Sequence, residues 1–294
     1  MDKQELKYIL ITSMVLGFCF SYRDWGKQAF NFGVGLNNLI ITIILVLLSI
    51  SLHEVAHRKM GDKYGTQISF KTWNSLLFVA LLIAVLTEGW IVFSAIWVVG
   101  ISSKHLFRPG HKYPHLGPWE SAKIAATGPV INFIFGLISA VIAFETGSYI
   151  WHKLMIINLS FAVFNIFPFF RLLPALFSGQ TDFIHNISYN LSKHTGKTLK
   201  NTHMEGEIIF FGSRTLSIFL MTLIFVTSFL VLTSNVVFMS LMFGIFSAVA
   251  MYVLAEWFAP FGTTHSSPEP IPEIKLSNIK FPKFKLPKIS WEKK

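Results

Sequence analysis

Residues 36–57 read LNNLIITIILVLLSISLHEVAH, an apolar run that ends in three ionisable side chains, His53, Glu54 and His57. A helix needs about 20 mostly apolar residues to cross roughly 30 Å of hydrocarbon, so this stretch reads as a membrane span with its polar cluster at one end. On a helix, positions four apart share a face. His53 and His57 therefore suit a single metal ion, and Glu54 beside them suits a base that takes a proton from metal-bound water. A single helical histidine is ordinarily a satisfied polar residue. Three ionisable groups clustered at the end of a membrane helix are costly unless they pair or bind a metal.

The rest of the chain has the same character. Of 294 residues, 52% are hydrophobic and 14% charged, with a mean hydropathy of +0.55, a profile outside that of ordinary soluble domains. Segments 8–22, 36–57, 124–144, 154–170, 208–232 and 236–258 read as simple spans. The N-terminal run carries Lys3 and Lys7 and is followed by Ser21-Tyr22-Arg23-Asp24 rather than by a small-residue cleavage site, so it reads as a retained helix. Segment 76–101 differs, because Thr87-Glu88-Gly89 splits it into halves too short to cross singly as helices. It reads as a re-entrant hairpin whose backbone groups need cover from protein. Cys19 is the one cysteine, which excludes an intramolecular disulfide and a cysteine metal cluster.

Charge orients these segments. With the hairpin returning to its own side, 21 of the 25 Lys and Arg residues share one face; Arg23, Lys27 and Lys153 lie on the other, and Arg214 falls within a helix. That asymmetry predicts a cytoplasmic location for the basic face and for both termini. It also accounts for the net charge of +10 without a nucleic-acid partner. His53, His57, Asn132, Asn165 and Glu205 all fall at or near this face. Residues 261–294 alternate basic and apolar residues with prolines, as in Ile279-Lys280-Phe281-Pro282-Lys283-Phe284-Lys285-Leu286-Pro287-Lys288. This tail reads either as an extended segment drawn to anionic lipid or as a plain disordered tail. His185, His194 and His203 are unevenly spaced in a polar stretch and read as surface histidines rather than as a second metal site.

Three ordered motifs add a family resemblance. Residues 52–65, LHEVAHRKMGDKYG, resemble the first motif of the site-2 protease family of intramembrane metalloproteases (peptidase family M50). Thr127-Gly128-Pro129-Val130-Ile131-Asn132 resembles its A-G-P-x-x-N element, and Phe164-Asn165-Ile166-Phe167-Pro168 the start of its N-x-x-P-x-x-x-x-D-G motif. The likeness covers roughly residues 38–232 and is to archaeal-like members. It departs where the last motif should finish, since Leu173 stands five residues after Pro168 and no Asp-Gly follows. Met204-Glu205-Gly206-Glu207 resembles the displaced Asp-Gly segment, which makes Glu205 the favoured third metal ligand and Asp182, in Gly179-Gln180-Thr181-Asp182, the alternative. Zinc accepts either acid.

The resemblance implies an all-α polytopic membrane protein of about six transmembrane helices plus the hairpin. It divides into an N-terminal helix and loop (1–35), a protease core (36–232, with a polar insertion at 171–205), a last helix (233–260) and the basic tail (261–294). The implied activity is hydrolysis of peptide bonds by water activated on one zinc ion per chain, with Glu54 as general base. The expected substrate is a single-pass membrane protein or a signal peptide. Asn132 and Asn165 are candidates to bind the substrate strand or the oxyanion, or simply to bond neighbouring helices; Gly128 suits a close helix approach, and Pro129 and Pro168 a bend or an end. Two other classes compete: a catalytically inactive metal-binding scaffold of the same fold, and a metal transporter, whose polar residues should instead line a mid-membrane path.

Overall fold

The computed structural model describes residues 3–26, 29–72, 74–95, 97–103, 117–168 and 204–258. In chain order these form α1 (Lys3–Ser21), α2 (Phe32–Lys63), β1 (Thr66–Thr72), α3 (Asn74–Leu86), β2 (Trp97–Ser103), α4 (Pro118–Thr146), α5 (Tyr149–Ile166), α6 (Glu205–Gly212), α7 (Arg214–Ser234) and α8 (Val237–Phe258). Five helices, α2, α4, α5, α7 and α8, are long and apolar enough to cross a membrane. Helix α1 stands outside that set; Gln4, Glu5 and Lys7 in its first turns dilute its apolar character.

Helix α2 shows how the sequence assigns faces. Thr42, Leu45, Val46, Ser49, Ile50, His53, Glu54, His57 and Gly61 are buried at helical spacing, while Ile40, Ile44, Leu48 and Val55 form an exposed apolar stripe on the other side. The motif therefore sits on the face that α2 turns toward its neighbours. Helix α4 packs by a stripe of small residues, including Ala122, Ala125, Gly128, Gly136, Ser139, Ala140 and Ala143, which lets backbones approach closely in the manner of membrane helices. A Cβ on Gly136 would collide with the side chain of Leu159 in α5, and one on Gly17 of α1 with Ile43 of α2. Helix α1 runs antiparallel to α2, so that Glu5 near its start reaches Arg58 near the end of α2.

A two-stranded antiparallel sheet, which an all-α description omits, brackets the segment 76–101 expected as a hairpin: β1 precedes it and β2 overlaps its end. Thr66 pairs with Ser103 and Thr72 with Trp97, so the chain on either side of α3 returns to the same place. Thr66, Ile68 and Phe70 are buried while Gln67 and Ser69 are more accessible, the period-two pattern of a strand. A strand advances about 3.3 Å per residue, more than twice a helix, so β1 and α3 together reach where a short helix alone would not. Thr66 begins beside Gly61 of α2, donating its hydroxyl to the Gly61 carbonyl at 3.0 Å. The turn after α3 ends against Tyr22 and Arg23, with the Arg23 guanidinium 3.8 Å from the centre of the Trp90 ring. That turn is the predicted interruption: Glu88 and Gly89 adopt φ of 51° and 74°, which ends the helix.

The expected span 208–232 is likewise divided. Ser213 leaves helical geometry with φ −163° and ψ 110°, and its hydroxyl accepts from the Leu216 N–H at 3.2 Å to cap α7. The tail with its lipid expectation lies outside the described residues.

Close helix contact at glycine predicts an asymmetric cost. Gly136→Ala should destabilise the fold by about 1–3 kcal/mol through overpacking against Leu159. Ile138→Leu on the exposed face of α4 should shift thermal unfolding in detergent far less.

Candidate metal centre

His53 and His57 are fully buried, one helical turn apart on α2, with ring centroids 4.7 Å apart. Their Nε2 atoms lie 3.0 Å from each other. Glu205, the first residue of α6 and also buried, brings Oε1 to 2.8 Å from His53 Nε2 and 3.1 Å from His57 Nε2. One ligand atom from each of the three lies within 4.8 Å of the others, although 148 positions separate His57 from Glu205 in the chain.

Glycines place Glu205. A Cβ on Gly206 would strike the carbonyls of Ile166 and Phe167 at the end of α5, and one on Gly212 would strike the Pro118 carbonyl and Ala122 of α4. Helix α6 is thus seated against α5 at its start and α4 at its end. Phe167 itself leaves the helix, with φ −78° and ψ 130°, as a residue before proline tends to do. Gly128 of α4 serves the centre more directly than a general helix approach would require. A Cβ there would collide with Nε2 of both histidines, so any side chain would fill the space between the three donors.

The protons are constrained. His57 Nδ1 lies 2.7 Å from the carbonyl of Ile124, which only accepts, so Nδ1 carries the hydrogen and the neutral ring presents a lone pair at Nε2. This carbonyl precedes that of Ala125, whose helical partner would be Pro129, a residue with no N–H. Burial alone would raise the Glu205 carboxyl, but its close contacts with the His53 and His57 ring nitrogens hold it well below the usual carboxylate range. Two imidazole nitrogens and an ionised carboxylate are a donor set that zinc favours, and three of them leave a fourth position open.

Glu54 is buried next to the cluster, and neither of its carboxylate oxygens has a hydrogen-bond partner among the described residues. Its charge is faced by Arg58, whose Nε lies 3.5 Å from Oε2. The Arg58 guanidinium also donates to Glu5 Oε2 at 3.2 Å, and Glu5 Oε1 accepts from the Phe70 N–H at 3.3 Å. This chain of charges joins α1, β1 and the Glu54 side chain. Sequence reasoning missed Glu5 and Arg58, although Arg58 stands four residues after Glu54, a spacing that marks an ion pair on a helix.

Of the two candidate asparagines, Asn132 joins the cluster: its Nδ2 lies 3.0 Å from His53 Nδ1. Asn165 is buried near the end of α5, and its Nδ2 lacks a hydrogen-bond partner among the described residues. Asp182, the alternative ligand, and His185, His194 and His203 lie outside the described residues.

A protein of Methanocaldococcus jannaschii named as a candidate zinc metalloprotease is 27% identical to this chain over 177 residues, covering 57% of the chain and 79% of the relative. No family model and no solved structure matches the chain. The similarity and the His-His-Glu cluster support a zinc metalloprotease at this general level. The packing at Gly128 predicts that Gly128→Ala lowers zinc affinity at least tenfold, measured by competition with a chromogenic chelator, because the added methyl occupies the space the ion needs.

Proposed function

We propose that the chain is an intramembrane zinc metalloprotease of the site-2 protease type, with His53, His57 and Glu205 as the metal ligands and Glu54 as the general base. The observation that carries this reading is the convergence of three buried donors beside a buried carboxylate, with both histidines and that carboxylate on a helix able to cross a membrane. Zinc held there supplies a lowered pKa for water and polarisation of the scissile carbonyl. Glu54 takes the proton of the attacking water and hands it to the leaving amine. Arg58 lies across its carboxylate and offsets a charge that burial would otherwise disfavour. The surrounding helices keep bulk water from the reacting atoms, which strengthens each electrostatic contact.

Substrates of this activity are single-pass membrane proteins or signal peptides, whose helices must open locally before their backbone reaches the site. The β1–β2 sheet supports such a step, since an extended strand can add to the edge of a sheet. In the orientation set by charge, the basic face, the site and both termini are cytoplasmic, and the tail meets anionic lipid.

Purified chain incubated in detergent with zinc and model single-pass substrates should cut them. Glu54→Gln should keep zinc and lose cleavage by about 10²-fold or more. Glu205→Ala should lose both, and Asp182→Ala neither. Zinc binding without cleavage across a broad substrate panel favours the inactive scaffold instead.

A further inference from the structure

Asn132 faces the wrong way for a metal. As it stands, its amide nitrogen lies 3.0 Å from His53 Nδ1, and His53 Nε2 lies 2.8 Å from Glu205 Oε1. Those contacts are self-consistent for one tautomer only: Nδ1 accepts from the amide N–H, and Nε2 carries the hydrogen and donates to Glu205. A ring in that tautomer has no lone pair at Nε2 to offer an ion. To bind through Nε2 while remaining neutral, His53 must carry its hydrogen on Nδ1, where it would then meet the Asn132 N–H head-on.

The same side chain contains the remedy. Asn132 Oδ1 is buried and has no hydrogen-bond partner among the described residues. The two ends of the amide have the same shape, so half a turn about the Cβ–Cγ bond puts Oδ1 where Nδ2 now stands, ready to accept from Nδ1–H. Asn132 is itself fully buried on α4, four residues beyond Gly128, so the helix that makes room for the ion also holds the group that sets the ring.

Resting on the metal site assigned above, we infer that Asn132 is a positioning residue that sets the tautomer of His53. When zinc occupies Nε2, the Asn132 amide oxygen accepts from Nδ1–H. Atoms balance in the exchange: the hydrogen on Nε2 leaves as the metal–nitrogen bond forms, one hydrogen is gained at Nδ1, and the ring stays neutral. His57 needs no such partner, because the Ile124 carbonyl already fixes its Nδ1–H. Asn132 therefore acts on metal affinity, a role distinct from contact with substrate.

The test is zinc affinity of the full-length chain in detergent, stripped with a chelator and titrated with zinc, for wild type, Asn132→Leu and Asn132→Asp. Asn132→Leu should lose tenfold to hundredfold in affinity, the cost typical of losing a partner behind a metal-bound histidine. Asn132→Asp, which only accepts, should bind within about threefold of wild type or more tightly, and an unchanged Co2+ absorption spectrum should show that it has not become a ligand. Nitrogen-15 spectra of histidine-labelled, zinc-loaded protein should show His53 protonated at Nδ1, assigned by its shift in Asn132→Asp. Asn132→Leu binding zinc like wild type, an Asp variant that folds yet fails to restore affinity, or an unprotonated Nδ1 on His53 would each overturn the role given to Asn132. A wild-type chain that binds no zinc overturns the metalloprotease reading itself, and this inference with it; zinc binding and cleavage by wild type with affinity untouched in Asn132→Leu leaves that reading standing.

Discussion

Three electron-pair donors are pressed into one buried space: Nε2 of His53, Nε2 of His57 and Oε1 of Glu205, with each close contact at 2.8–3.1 Å. In an apolar interior such a cluster is unfavourable without a proton or a cation among them, because lone pairs repel and an ionised carboxylate loses its hydration. Much of the architecture follows from holding them together. Helix α2 buries the histidines on the face opposite its exposed apolar stripe, α4 withdraws its backbone to a glycine at the point of contact, and α6 seats on two glycines so that its first residue meets the pair. Each device uses the absence of a side chain, and close approach between membrane helices depends on that absence more than on hydrophobic burial, since lipid is as apolar as the residues it would replace.

The polar groups behind the donors are arranged on the same principle. A carbonyl of α4 fixes one imidazole, an amide on the next turns of α4 faces the other, and Arg58 with Glu5 balances the charge of Glu54. Arg58 and Glu5 are partly exposed, which weakens them as a stabilising pair; their effect lies in where they hold Glu54 rather than in net folding energy. Because Glu5 also accepts from β1, a movement of that strand would be felt at the carboxylate through only two side chains.

The parts legible in sequence were those written in a single helical period. The span at 36–57, the His53-Glu54-His57 face and the interruption at Thr87-Glu88-Gly89 all depend on local spacing. The strands were not read, because Thr66, Ile68 and Phe70 alternate over too few residues and adjoin a long apolar run that dominates the pattern. The break at Ser213 is hidden for a similar reason: apolar residues continue on both sides, and the close packing of Gly212 against α4 at that point is a tertiary contact. Glu5 and Asn132 are joined to their partners over 53 and 79 positions, and no local pattern encodes such pairings.

The separation between Pro168 and Glu205 is the departure from the resembling family's shorter spacing, and loop physics explains why it need not disturb the site. Closing a flexible connection costs only about 0.6 kcal/mol for each doubling of its length, so a long insertion is tolerated if its two ends are anchored independently. Both ends are anchored here. Phe167 turns out of α5 ahead of Pro168, and Gly206 lies against the carbonyls of Ile166 and Phe167, so the start of α6 packs onto the very residues where the earlier helix stops. The position of the Glu205 backbone is thus set by a contact across the two ends rather than by the number of residues between them.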